Sequence, residues 1–160
     1  MNGGRIGAAF YGWLLLVRGS HPLDEIIIAC EKLEMTSANN YYAQIPCLKH
    51  IYLEDSWVLG VIEKDNSIEF KLDAALTEGH PEYHPPKPNE QYCYKRVILR
   101  LNNCSEVAWL ERSFRRNTDA SGEVDYGNIH YFNAEADILH VSGGWGELRL
   151  NCKDISLIAV

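Results

Sequence analysis

From Cys47 onward the chain alternates apolar and polar residues at the two-residue period of half-buried β-strands. Ser67–Leu72 sets Ile68, Phe70 and Leu72 on one face against Glu69 and Lys71 on the other. Trp57–Glu63 precedes it, and Asp65-Asn66 between the two is a favourable hairpin turn. Lys95–Leu101 alternates in the same way, and Asn102-Asn103 is read as the turn into Cys104–Arg112. A third hairpin joins Ile138–Ser142 to Trp145–Cys152 through Gly143-Gly144, residues that tolerate positive φ. Cys47–Leu53, Ile129–Phe132 and Ile155–Val160 bring the expected strands to nine. Helix is expected only at Leu23–Glu34 and as one turn at Asp73–Thr77. The pattern predicts an all-β fold, an antiparallel barrel or sandwich of about 8–9 short strands built from hairpins, with a short helical N-terminal extension.

Residues 1–34 form that extension, and residues 35–160 a single β-domain. Ile6–Val17 is an apolar run between Arg5 and Arg18, too short to span a bilayer. No small-x-small cleavage site follows it, as a signal peptide would require. Ile27-Ile28-Ala29-Cys30 resembles a lipoprotein cleavage box, but Asp24 and Glu25 stand where its apolar core should continue. Met35 offers an alternative start, which would make the upstream residues an over-extended reading frame.

Two irregular crossings interrupt the alternation, and both carry polar chemistry. The first is Asp73–Tyr94, whose segment Gly79–Tyr94 holds four of the six prolines, which rule out a central strand or a long helix. It is expected to be a stiffened arm, its tyrosines at 83, 92 and 94 pinning the prolines to the sheet. His80 and His84 have the i, i+4 spacing that places two rings on one metal in a helix. Pro85 and Pro86 disfavour that helix, so a metal would need a bend and an oxygen from Glu82 or Glu90. The second crossing, Ser113–Asn128, holds Asn117–Asn128, which follows the oxygen spacing of an EF-hand calcium loop. It departs where Asn117 and Asn128 replace the expected acids, so a self-bonded turn is the simpler expectation. Cys93 is expected to be a buried strand cysteine. Trp57, Trp109 and Trp145 are expected in the core.

The net charge is −7, of which residues 35–160 contribute −6 (12 Lys+Arg against 18 Asp+Glu). That balance repels phosphate backbones, and the cluster Arg112, Arg115 and Arg116 is too small to reverse it, so no nucleic acid is expected. Five cysteines without a C-x-x-C pair indicate neither a disulfide framework nor a zinc ribbon. Reduced thiols in the cytoplasm are expected, with no cofactor and no membrane.

Leu53-Glu-Asp-Ser-Trp-Val-Leu-Gly, the alternating Ser67–Leu72 and Gly144-Trp-Gly-Glu-Leu-Arg-Leu together resemble small bacterial all-β proteins, including immunity proteins of polymorphic toxin systems. The resemblance covers roughly residues 47–157 at the level of pattern. It departs at Glu54-Asp55, where those proteins often carry a histidine–aspartate pair. It implies stoichiometric binding without catalysis, and it carries over no functional residues. The leading expectation is therefore a non-catalytic β-domain whose acidic loop face binds a basic protein. Glu82, Glu90, Asp119, Glu123 and Asp125 would supply charge, with Tyr83 and Tyr126 as aromatic anchors. The alternative is a metal- or small-ligand-binding barrel, with enzyme chemistry open to it, using His80, His84 and nearby carboxylates.

Overall fold

The computed structural model describes residues 15–16, 27–29, 40–135 and 138–160. Its strands are β1 (Leu15–Leu16), β2 (Ile27–Ala29), β3 (Asn40–Tyr41), β4 (Ile51–Lys64), β5 (Ser67–Leu76), β6 (Cys93–Arg112), β7 (Asn117–Thr118), β8 (Val124–Asp125), β9 (Ile129–Glu135), β10 (Ile138–Gly143) and β11 (Gly146–Ala159). Two single turns of 3-10 helix, Tyr42–Gln44 and Pro46–Leu48, precede β4. Strands β3-β9-β10-β11-β6-β5-β4 lie side by side in one antiparallel sheet, curled into a half-barrel. Strand β2 pairs with the C-terminal half of β11, and β1 pairs with β2. The short strands β7 and β8 make a separate hairpin.

Register follows from the alternation. Strands β5 and β6 pair without a shift from Ile68↔Leu101 to Leu76↔Cys93. One face therefore carries Ile68, Phe70 and Leu72 against Leu101, Leu99 and Val97, all buried. The other sets Glu69 opposite Arg100 and Asp73 opposite Arg96. A slip of one residue would exchange these faces, exposing the apolar set and turning these charged side chains into the core. On the concave side Trp145 is fully buried, its ring 5.0 Å from Phe70 and 5.9 Å from Trp109 between centroids.

The sheet's two ends are drawn together by main-chain bonds. Val58 N–H donates to Gly127 O and Tyr126 N–H donates to Val58 O, each at 2.8 Å. Residues just ahead of β9 are thus bound to β4, at the opposite end of the strand order.

Several sequence expectations are corrected. Asn102-Asn103 is no hairpin turn, because β6 runs through it as a 20-residue strand. A two-residue hairpin turn of type I′ needs positive φ at both central residues. Here Asn103 (φ 50°) has it and Asn102 does not, and Glu106 (φ 52°) adds a second irregularity. The strand bends and continues. Ile51–Leu53 and Trp57–Glu63 belong to one strand joined across a bulge, while Cys47–Leu48 lies in the 3-10 turn and Lys49-His50 in the turn that follows it. Trp145–Cys152 and Ile155–Val160 likewise merge into β11. The nine short strands thus merge into six long ones, and the described residues add five of two or three residues that were not expected. Asp73–Thr77 is not a helical turn: Asp73–Leu76 completes β5. Of the expected helix at Leu23–Glu34, Ile27–Ala29 is a strand, and the remainder lies outside the described residues.

The expectation of five reduced thiols is also overturned. Cys104 and Cys152 stand directly opposite on β6 and β11 and form a disulfide, closing a sequence separation of 48. Two cysteines whose spacing suggests no framework become bonded because the sheet register makes them cross-strand neighbours. Cys47 and Cys93 are both buried.

Candidate functional site

The first crossing is a succession of turns fastened to the end of β4. Thr77 N–H donates to His50 O at 3.0 Å, His80 N–H to Thr77 O at 2.9 Å, and Tyr83 N–H to His80 O at 3.0 Å. Gly79 lies so close against the His50 imidazole that a Cβ there would come within 2.5 Å of ring atoms. Glu82 pairs with Lys95 at 2.5 Å and Glu90 with Lys87 at 3.6 Å, and Tyr83 packs against the core.

The histidines of the arm are not brought together by these bonds. His80 Nδ1 accepts Glu82 N–H at 3.2 Å, while His84 Nδ1 faces the Pro85 carbonyl at 2.9 Å. Burial pushes the His80 pKa below its ordinary 6.5, partly opposed by the Glu82 charge. Among the described residues no group of three His, Cys, Asp or Glu side chains gathers as a metal site.

The acids of the second crossing are engaged within their own hairpin. Asp119 Oδ1 accepts the Ser121 and Glu123 amides at 2.8 and 2.9 Å and the Ser121 hydroxyl at 2.7 Å. The Ser121 hydroxyl bond and those amides hold its carboxyl below the ordinary aspartate value. Asp125 accepts from Gly127 N–H at 2.7 Å and Asn117 Nδ2 at 3.0 Å. Glu123 pairs with Arg96, which also bonds Asp73 at 3.0 Å. Tyr126 packs edge-on to Phe114 at 5.7 Å. The two crossings are thus tied to successive residues of β6, Glu82 to Lys95 and Glu123 to Arg96. Among the described residues no hydrogen bond or ion pair joins one crossing to the other.

A different feature faces outward beside the arm, and its origin is a bulge in β4. Tyr52 pairs with Ala75, but the next pairing is Trp57 with Asp73, so Leu53–Ser56 oppose the single residue Ala74. The fully buried Ser56 fills the gap: its Oγ accepts Ala75 N–H at 2.9 Å and donates to Tyr52 O at 2.6 Å. The bulge shifts the alternation, so that Leu53 and Val58 both point inward while Tyr52 and Trp57 both point out. Trp57 therefore does not enter the core, as its place in an alternating strand implied; it is 41% exposed, and Tyr52 46%. Trp145 and Cys93 are buried as expected, and Trp109 is partly buried.

Tyr92, immediately ahead of β6, and Tyr94, within it, extend the row. Tyr52 meets Tyr92 edge-on at 5.9 Å, and Tyr92 meets Tyr94 at 6.2 Å. The Asp55 carboxylate, thrown out by the bulge, lies against the Tyr92 hydroxyl and holds that phenol above its ordinary pKa of 10.0. Tyr94 is raised as well, first by burial and then by the charges of Asp55, Glu90 and Asp73. At the root of the arm the row borders a pocket of about 450 Å³, whose walls include Tyr52, Tyr83, Tyr92, Thr77 and Glu78.

Sequence reasoning had the tyrosines of the arm but missed Tyr52, Trp57 and Asp55 as their neighbours. The available signal was Ser56, a small polar residue at a position that strict alternation assigns to the same face as Tyr52. No protein-family model, curated protein or solved structure matches this chain.

Proposed function

We propose that the protein is a non-catalytic binding module that engages a protein partner stoichiometrically, as the immunity-protein resemblance implies. The observation that carries this reading is the exposure of Tyr52 and Trp57 on the outward side of β4, with Tyr92 against Tyr52 and Tyr94 against Tyr92. Large aromatic side chains held rigidly at the surface are the residues on which interface energies concentrate. The acidic face expected from the sequence is not the binding surface we favour. Glu82, Glu90 and Glu123 are paired with Lys95, Lys87 and Arg96, and Asp119 and Asp125 with their own hairpin.

A second reading is a small-ligand site, supported by the pocket of about 450 Å³, a volume within the ordinary range for such sites. As to location, no helix among the described residues is long and apolar enough to cross a membrane. The cytoplasmic placement loses its cysteine argument at Cys104–Cys152, because disulfides persist mainly in oxidising compartments.

The test is affinity capture from the native host, identification of the captured protein, and calorimetric titration of the two purified components. Tyr52→Ala/Trp57→Ala should weaken binding by at least about tenfold, as loss of aromatic anchors does. Both side chains are substantially exposed, so the melting temperature should move little. A partner bound equally tightly by the double variant would refute the reading.

A further inference from the structure

We infer that the pocket at the root of the arm receives the ammonium or guanidinium head of a basic side chain presented by the protein partner. This rests on the binding function proposed above and names the chemistry of its central contact. Three tyrosine side chains, Tyr52, Tyr83 and Tyr92, contribute to the pocket wall. Aromatic faces carry the negative part of the ring quadrupole and attract cations. The wall's one charged group is also negative: Glu78 lines the pocket, and among the described residues it forms no ion pair.

The surrounding charges favour the same occupant. Asp55, against the Tyr92 hydroxyl, is likewise outside every ion pair of the described residues. The neighbouring cations are already engaged: Lys87 by Glu90, Lys95 by Glu82, and Arg96 by both Asp73 and Glu123. His80 is held toward its neutral form by burial, and the His50 ring lies against Gly79. Counting these side chains, six carboxylates (Asp55, Asp73, Glu78, Glu82, Glu90, Glu123) stand against three cations, leaving −3 around an aromatic recess. A long aliphatic stem with a cationic head fits it: the methylenes lie along the tyrosine rings and the head remains near Glu78.

The test is an NMR titration of the whole chain with Nα-acetyl-lysine amide and Nα-acetyl-arginine amide. Nα-acetyl-norleucine amide serves as the uncharged comparison and cellobiose as a neutral sugar. The basic probes should move the amides of Thr77, Gly79, Gln91 and Tyr92 at millimolar concentrations. Glu78→Gln should weaken them about three- to fivefold, and about tenfold higher salt should do the same. Equal binding of the norleucine probe, or shifts with cellobiose and none with the basic probes, overturns the inference.

Competition against the partner separates this inference from the reading beneath it. Displacement of the partner by the basic probes supports the inference. If Tyr52→Ala/Trp57→Ala abolishes partner binding while Glu78→Gln and the basic probes leave it unchanged, the binding function stands and the inference fails. If the basic probes bind but displace no protein, the pocket belongs to a free cationic ligand, and the assignment to a partner's side chain is overturned.

Discussion

Ser56→Ala isolates the device that creates the aromatic row. The hydroxyl is fully buried and serves two main-chain groups, accepting from Ala75 N–H at 2.9 Å and donating to Tyr52 O at 2.6 Å. Alanine removes both bonds and leaves nothing in their place. The Ala75 amide is the costly orphan, because it lies at a residue with no solvent exposure. A buried unsatisfied donor costs about 1–3 kcal/mol, and the Tyr52 carbonyl, in a partly exposed bond, adds less because water can reach it. The expected loss is about 2 kcal/mol, which lowers the melting temperature of a 160-residue chain by about 4–8 °C. Urea unfolding should show the midpoint falling with an unchanged slope. Hydrogen exchange at the Ala75 amide should accelerate more than at Leu99, which lies on the neighbouring strand outside the bulge. Ser121→Ala, on the exposed hairpin, is the comparison that controls for a general serine effect. A loss below about 0.5 kcal/mol, the level of an ordinary surface substitution, with Ala75 still protected, would refute the account of the bulge.

Further outcomes follow from close approaches, covalent linkage and charge. Gly143→Ala should destabilise severely, by about 3 kcal/mol or more, since its Cβ would sit 2.0 Å from the Asn128 carbonyl oxygen. Gly122→Ala meets open space and has only its φ of +87° to oppose it, so chemical denaturation should show about 1 kcal/mol. Removing the disulfide with Cys104→Ala/Cys152→Ala should cost up to about 4 kcal/mol from the released 48-residue loop. Thiol titration of unreduced, denatured protein should count the pair as missing, and a full count would negate the bond. Burial raises the Glu69 pKa, but hydrogen bonds from Lys64 and Arg100 outweigh it, and the net value lies below 4.5. Its contribution is therefore present above pH 4.5 and is lost as pH falls through the lower folded-state value. Glu69→Gln should reduce the pH dependence of unfolding free energy on that acid side; an identical acid limb would exclude Glu69 as a contributor.

The sequence by itself determined the class of fold and the inward faces. Alternation at Ser67–Leu72 and Lys95–Leu101 is a local property, because consecutive side chains of a strand point to opposite faces. Burial of Ile68, Phe70, Leu99 and Leu101 follows from it. The prolines of Gly79–Tyr94 likewise specified an irregular arm; the reversal expected at Gly143-Gly144 falls one residue on, at Gly144-Trp145, because Gly143 stays in β10 paired with Gly146, and it is Gly146 that takes positive φ. The tertiary structure decided everything that depends on which strands become neighbours. Asn103 bends a strand instead of ending it, because β6 keeps a partner in β11 on both sides of the irregularity. Cys104 and Cys152 bond because register places them opposite, and no spacing rule encodes that. The acids of the two crossings lost their apparent freedom to Lys95, Arg96 and their own amides, partners fixed by chain folding. The row of Tyr52, Trp57, Tyr92 and Tyr94 depends on Ser56 finding Ala75 across the sheet. A bulge reverses the facing of every residue beyond it, and whether one forms is decided between strands and not within them.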